Sequence, residues 1–481
     1  MDLFGSLKLK RLGSIALLLT VVLLFSSCWH QGWVRQSEYK GNALPFYISD
    51  NNRFFQDKTG KPFFWLADTG WRTFAGPTKE QVTEYFKIRK NQGFNTIQIF
   101  YTMSWAPVNA ENDSAFVHND PLQLNENYVA FAKWCAQEAK RQELILCIIL
   151  GEVFRNDTRF KRIDDEEAAY RYAHQLVSRF RDDDNIVWAL AQDFQGVRNS
   201  LWSALAEGIH DAIDGVNNRD GRANWNNAMV TYHIGWEQSS SLYVHNEPWL
   251  DFNMIQSSHC RRDNHHVYTL AWMDWEKTPA KPFFDAEPNY EKHPIWLWGD
   301  GKSFDDYDVR KASYRSVFAG GCGITYGADR VWQLDDDWMD CLHYPGALQL
   351  IHLKNLMLSR PYFERAPDRE FIRSVNPNKA EKIIATSSTK GNYAMVYVPF
   401  SGQSFTIDAS KLKGKKLKAW WFSPLDGKTY HANGQIASEP FGVEKSDKMN
   451  IISPKLEKSV DWVLVIDSES SAYSIPGHPI Y

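Results

Sequence analysis

From residue 63 onward, short apolar runs alternate with stretches in which apolar residues recur every three or four positions. The runs at 63–67, 94–100, 144–150, 186–191, 229–234, 252–255, 282–286 and 322–326 read as strands. The run at 144–150 is apolar throughout, the pattern of a strand covered on both faces. Helical patterns fall between the runs at 78–91, 125–141, 164–181, 201–213, 266–275 and 307–318. Thr78 is placed to cap the first helix, and Gly93 to end it. Eight strand units with helices between them predict an α/β fold, a (β/α)8 TIM barrel of about 300 residues. An open doubly wound sheet is the alternative. Neither a GxGxxG nor a P-loop follows the first strand, which lowers the odds of a nucleotide-binding version.

The pattern changes after Arg360-Pro361. Short strand-like runs at 382–386, 393–398, 404–407, 417–422 and 462–466 are separated by Gly, Pro, Asn and Ser. These predict a small antiparallel β-sandwich over 361–481, behind a barrel at 45–360. The N-terminus has a different character. Lys8, Lys10 and Arg11 precede an apolar run at 15–25, too short for a comfortable membrane span. Ser26-Ser27-Cys28 follows, resembling a bacterial lipoprotein cleavage site. Residues 1–27 are thus expected to be a signal peptide, Cys28 the lipidated N-terminus and 28–44 a tether. An ordinary secretory signal with an incidental cysteine is the alternative. The chain is expected to be secreted across the inner membrane as a lipid-anchored cell-envelope protein, meeting the membrane only through its anchor.

Composition narrows the partner. The 481 residues carry a formal net charge of -4, which argues against nucleic acid, whose phosphates demand a basic surface. With 20 Trp and 21 Tyr, the chain has many flat faces that could stack on sugar rings, although large aromatic cores explain the composition equally well. Cys135, Cys147, Cys260, Cys322 and Cys341 form no CxxC pair and read as buried thiols. His259, Cys260, His265 and His266 cluster in sequence, but no second ligand pair has metal-site spacing, so no metal is expected.

A barrel builds its site at the C-terminal ends of its strands. The polar residues there are Asp68 and Thr69, Tyr101, Glu152, Gln192 and Asp193, Tyr232 and His233, Gln256 and His259, Glu287, and Tyr326, with Trp71 and Trp332 just beyond strands one and eight. This set is rich in carboxylates, amides and aromatics. Asp193 and Glu287 end strands four and seven, nearly opposite each other. Paired carboxylates are what glycosidic-bond hydrolysis needs. N-capping or loop salt bridges are the plainer reading of the same two residues. Glu291 and Glu152 are the rival carboxylates.

The segments WLADTGW (65–71), GFNTIQ (93–98), NIVWALAQD (185–193), TYHIG (231–235), WLDFNMIQSSH (249–259), KPFFDAEPNYE (281–291), DYDVRKASYRSVFAGGCGITYG (306–327) and VWQL (331–334) occur in that order. Together they resemble the apiosidase-like glycoside hydrolases, family 140 and relatives, commonly secreted or lipid-anchored by Bacteroidetes. AWWFSPLDGK (419–428) and DWVLVID (461–467) resemble the β domain that follows the barrel there, which bears a collagen-binding label. The resemblance implies a cofactor-free glycoside hydrolase, retaining and exo-acting on plant cell-wall, pectin-type side chains, with apiose or a similar furanose as the released sugar. It implies Asp193 as general acid/base and Glu287 as nucleophile. Asp68, His233, Gln256 and His259 are expected to bind sugar hydroxyls, and Trp71, Tyr232, Tyr326 and Trp332 to stack on sugar faces. The chain departs from the family pattern at Ala191-Gln192, where relatives usually have Gly-Gly, and at Asn289, where they often have Cys; both departures bear on substrate identity. A non-catalytic carbohydrate-binding lipoprotein on a degenerate barrel is the alternative function.

Overall fold

The computed structural model describes residues 44–481 except 157, 195–197, 258, 264, 298–300, 379 and 457–460. The expected leader and Cys28 lie outside the described residues. Eight parallel strands form one sheet: β1 (Trp65–Thr69), β2 (Thr96–Phe100), β3 (Ile145–Ile149), β4 (Ile186–Phe194), β5 (Met229–Ile234), β6 (Asn253–Gln256), β7 (Phe283–Asp285) and β8 (Gly323–Tyr326). Their order, β5-β4-β3-β2-β1-β8-β7-β6, leaves a seam between β5 and β6. Hydrogen bonds bridge the seam: Asp251 N–H donates to Val230 O at 2.9 Å, Val230 N–H donates to Asp251 Oδ2 at 2.7 Å, and Thr231 Oγ1 donates to Phe252 O at 2.8 Å. The result is a TIM barrel. Every residue of β2 and β3 is buried, because the barrel interior covers one face and the helical ring the other.

The helices are α1 (Lys79–Asn91), α2 (Glu126–Arg141), α3 (Glu166–Val177), α4 (Asn199–Asp214), α5 (His266–Trp275) and α6 (Asp306–Phe318). Thr78 and Gln81 form a capping box at the start of α1. The expected helix at 164–181 is shorter, with α3 passing into a 3-10 turn at Ser178–Phe180. No α-helix joins β5 to β6. A two-residue strand, Gln238–Ser239, pairs antiparallel with β6 instead. After β8 the chain adds α7 (Asp329–Gln333), α8 (Trp338–Cys341) and α9 (Pro345–Leu358).

An N-terminal meander plugs one end of the barrel. Its strands, Tyr47–Ile48, Phe55–Gln56 and Pro62–Phe63, are antiparallel. Phe55 packs on Phe252 at 5.0 Å and Trp65 on Phe284 at 4.4 Å, near the N-terminal ends of β6, β1 and β7. Aromatic packing of this kind seals that end, leaving the opposite end for chemistry.

The C-terminal residues form an antiparallel β domain from β9 (Arg365–Pro367), β10 (Ile384–Ser388), β11 (Tyr393–Val398), β12 (Ser404–Ile407), β13 (Lys416–Phe422), β14 (Thr429–Tyr430), β15 (Phe441–Glu444), β16 (Met449–Ile452) and β17 (Trp462–Ser468). One sheet runs β9-β10-β11-β17-β13-β14 with β15 against β13, and the second is β12-β16. The period-2 alternation divides the larger sheet. Tyr393, Met395, Tyr397, Trp420, Val463 and Val465 join the barrel core, while Ala394, Val396, Trp421, Trp462 and Leu464 make the domain's own core.

Buried cations stitch the two domains together. Arg360 reaches both carboxylate oxygens of Asp467 at 2.8 Å. Arg310 on α6 donates to Asp461 Oδ1 at 3.1 Å, and the Tyr397 hydroxyl donates to the other oxygen at 3.1 Å. Arg365 Nη2 donates to Gly321 O at 2.7 Å. A bidentate arginine–carboxylate pair satisfies both partners, but loss of one strands the other in a dry site. Arg360→Ala should therefore cost about 3–5 kcal/mol in denaturant unfolding. A chain ending at residue 360 should be insoluble. A soluble, fully active barrel without residues 361–481 would refute this dependence.

Candidate active site

The C-terminal end of β4 departs from regular pairing. Val187 to Leu190 pair in step with Met229 to Tyr232 of β5, but the next partners are Phe194 and Ile234. Four steps along β4 thus match two along β5, and the excess is taken up by a bulge. Ala191 and Asp193 adopt φ of 60° and 51°, the left-handed region that side chains disfavour. The bulge presses on Gly151, just past β3, where an added Cβ would lie 2.0 Å from the carbonyl carbon of Ala191. Only glycine permits that approach. Glu152 then ties the loops together, accepting from Gln192 Nε2 and from the backbone N–H of Ser104, each at 2.8 Å.

This geometry presents the Asp193 carboxyl to a cavity, with 34% of the side chain exposed. Glu287 faces it from beyond β7. Its backbone N–H donates to buried Asp285 Oδ1 at 3.3 Å, and Ser257 N–H to the same oxygen at 3.2 Å, so Asp285 fixes the turn. His233 of β5 lies between the two carboxyls, Nδ1 3.6 Å from Asp193 Oδ1 and Nε2 3.3 Å from Glu287 Oε2. The nearest polar atoms of Asp193, His233 and Glu287 all fall within 4.8 Å of one another. Gln256 Nε2 donates to Asp193 Oδ1 at 3.0 Å.

The two carboxyls have opposite proton affinities. Burial and then the negative charge of Glu287 push Asp193 up to about 6. Burial would also raise Glu287, but the close contact and charge of His233 outweigh it and hold Glu287 below the usual carboxylate range. Burial lowers the proton affinity of His233, yet its two carboxylate neighbours overcome this and raise it above that of a free imidazole. His259, buried and stacked on Tyr290 at 4.6 Å, is lowered to about 4, chiefly by burial, and is neutral.

The cavity has a volume of about 470 Å³. Besides the carboxyls it is walled by Trp71, Trp105, Glu152, Arg155, Trp296 and Trp332. Trp71 stacks on Phe100 at 4.3 Å and meets His233 edge-on at 5.5 Å, which holds the imidazole in place. A pocket with aromatic walls and a few convergent polar groups suits a small polar ligand.

Of the residues singled out from the sequence, Asp193, Glu287, Trp71, His259 and Trp332 line this cavity. His233 and Gln256 touch its carboxyls from behind. Three do not belong. Asp68 is fully buried, 2.8 Å from Arg89 Nε and 2.5 Å from the Tyr85 hydroxyl, so it neutralises a cation from α1 rather than meeting a ligand. Tyr232 neighbours His233, and strand alternation turns it outward onto Trp202 at 5.5 Å. The Tyr326 hydroxyl donates to Glu291 Oε2 at 2.7 Å, and Gly346 N–H donates to the same oxygen at 3.0 Å. That pair is buried and does not line the cavity, so Glu291 is no rival there. Glu152 does line it, in a supporting position. Trp105, Arg155, Tyr290, His293 and Trp296 were not anticipated. Tyr290 and His293 flank Glu287 closely enough in sequence to have been considered, whereas Trp105 and Trp296 sit on loops with no periodic signal.

The histidines near Cys260 do not converge. His265 and His266 lie against each other with tilted rings, and His259 turns to Tyr290 and His293. Among the described residues, the group with metal-holding spacing is Asp193, His233 and Glu287. Its imidazole points a different nitrogen at each carboxylate, an arrangement that bridges two anions instead of directing three donors to one point. In Glu287→Gln, the Asp193 titration followed by carboxyl-carbon NMR should move down from about 6, because the neighbouring negative charge is gone. An unchanged midpoint would show that the two carboxyls do not interact.

Residues 49–364 match the family model described as apiosidase-like, catalytic domain. Residues 366–467 match a second model, named for a collagen-binding domain of a collagenase. A solved glycoside hydrolase is 28% identical over 89% of this chain and 99% of its own, with a TM-score of 0.77. A glycoside hydrolase family 5 structure from Bacteroides vulgatus is 26% identical over 91% of this chain and 97% of its own, also with a TM-score of 0.77. No curated protein matches.

Proposed function

The chain belongs to the apiosidase-like catalytic family, and we propose from that premise that it is a retaining glycoside hydrolase in which Asp193 is the general acid/base and Glu287 the nucleophile. The observation that carries this reading is the spacing of the carboxyls, whose nearest oxygens lie within 4.8 Å. Retaining glycosidases hold their pair ~5–5.5 Å apart, whereas inverting ones leave ~6.5–9.5 Å for a water. The proton affinities support the same division. Asp193, raised to about 6, keeps its proton in mildly acidic solution and can pass it to the glycosidic oxygen. Glu287, held low by His233, is ionised and can attack the anomeric carbon on the opposite face. The bond to the leaving group breaks as the glycosyl–Glu287 ester forms. Asp193, now a carboxylate, then takes a proton from water, whose oxygen displaces Glu287 and releases the sugar.

His233 tunes the pair by lying between them, and Gln256 orients Asp193. A sugar-binding barrel without catalysis would require neither the short separation nor the split affinities. The apiosidase-like description of the family supports apiose or a similar furanose as the released sugar, and we extend the proposal to exo-acting release from pectin-type plant cell-wall side chains without a cofactor. Screening plant glycans with product identification tests the substrate.

On such a substrate, Glu287→Gln should lose at least a thousandfold in kcat on every leaving group. Asp193→Asn should retain measurable glycosylation with an activated leaving group, which needs no acid. For the wild type, kcat/KM should fall on the alkaline side with a midpoint of about 6, as Asp193 loses its proton, and on the acid side as Glu287 gains one. Dialysis against a chelator should leave the rate unchanged. Near-normal activity in Glu287→Gln would overturn the assignment.

We further propose that the protein is exported and anchored through lipid on Cys28. One acyl chain holds a protein only marginally, so stable anchoring calls for the several chains of a bacterial lipoprotein. Mass spectrometry of the mature protein should find residues 1–27 removed and Cys28 acylated. An unmodified N-terminus elsewhere would end this proposal.

A further inference from the structure

Tryptophan is rarely left in water, since its large face gains from burial. Among the described residues three tryptophans are exposed: Trp105 at 55%, Trp236 at 51% and Trp296 at 57%. They are not scattered. Trp105 and Trp296 line the cavity that holds Asp193 and Glu287. Trp236 lies outside that cavity, but its ring meets Trp296 at 6.3 Å and 72°, so the two form an open corner at the rim. Exposed apolar surface gathered at one place marks a surface that binds something.

The corner is held rigidly. Trp296 packs on His293 at 5.0 Å and on His259 at 5.3 Å, two rings of the cavity wall. Trp236 follows β5, three residues after His233, on a turn whose next residue, Glu237, has φ 56°. The Glu237 carboxylate is 3.3 Å from Arg261 Nε and 3.5 Å from His266 Nε2, which anchors the turn to the loop after β6. A pre-organised aromatic corner loses little entropy on binding. Across the mouth, Trp105 meets Trp332 at 6.3 Å, so both sides of the cavity carry aromatic faces.

We infer that Trp236, with the exposed side of Trp296, is a sugar subsite outside the catalytic cavity, taking the unit next to the one being cleaved off. The occupant follows from continuity: Trp296 borders the catalytic cavity on one side and Trp236 on the other, so a chain leaving the cavity on that side runs into the corner. The apolar C–H face of a pyranose or furanose ring suits an aromatic face, and its hydroxyls remain in water at the open rim. For an enzyme that releases a terminal sugar, the unit in the corner belongs to the leaving-group side. This inference rests on the glycoside hydrolase reading and adds where the rest of the substrate sits.

The test uses the full chain carrying Glu287→Gln, to keep substrate intact, with and without Trp236→Ala. Calorimetry would measure binding of two probes, free apiose and pectic side-chain oligosaccharides fractionated by length. Trp236→Ala should weaken the oligosaccharides about tenfold while leaving apiose affinity unchanged, and Trp236→Phe should restore most of the loss, the scale expected of one aromatic contact. Unchanged oligosaccharide affinity in Trp236→Ala overturns this inference alone. An equal loss for both probes also overturns it, by making Trp236 a structural residue. Failure of the parent Glu287→Gln chain to bind either probe overturns the hydrolase reading along with it.

Discussion

Two carboxylates a few ångströms apart in a buried site repel each other, and burial penalises each charge as well. The imidazole of His233 between Asp193 and Glu287 resolves that conflict, and much of the site is arranged around it. β5 turns His233 inward. Trp71 fixes the ring edge-on, itself braced by Phe100. The β4 bulge turns Asp193 to one nitrogen, and Asp285 sets the turn that brings Glu287 to the other. The asymmetry of the contacts decides which carboxyl keeps a proton. Glu287 is the nearer partner and the more deeply buried, so it takes most of the cation's stabilisation, while Asp193 opens to the cavity.

The barrel is closed differently at its two ends. At the N-terminal end a meander and a cluster of rings exclude water. At the other, polar groups face a cavity whose walls are rings. The same economy appears at the domain boundary, where one sheet serves two cores through its two faces. Such a sheet cannot be removed without exposing a broad apolar surface on the barrel, which is why the C-terminal domain acts as part of the enzyme's interior.

Much of this was legible in the sequence. Continuous apolar runs gave the barrel strands, because a strand buried on both faces has no polar side to confuse it. The carboxyl pair followed from reading strand ends. Asp68 misled because a carboxylate at a strand end looks the same whether it meets a ligand or an arginine from α1; its partner, Arg89, is 21 residues away in sequence. Tyr232 misled because reading the strand end took adjacent residues together, whereas alternation sends only one of them inward. α9 was missed because it is covered on several sides and shows no clean amphipathic stripe, although Pro345 at its start is a helix signal. The bulge could not be read at all. Ala191 and Asp193 are ordinary residues held in a left-handed conformation by their surroundings, and the glycine their bulge packs against, Gly151, lies just past another strand.

The pairing of Arg310 with Asp461 and of Arg360 with Asp467 also governs when this molecule becomes complete. The partners are separated by 151 and 107 residues, and each acid belongs to the β domain that follows the barrel. Until residues 461–467 are synthesised, Arg310 on α6 and Arg360 just past α9 are shaped for burial without partners, and an apolar face of the barrel has no cover. A chain that stops short of Asp461 lacks both acids, which leaves its barrel exposed to aggregation and proteolysis. Packing of the barrel is therefore completed only once β17 has been made and Asp461 and Asp467 have met their arginines.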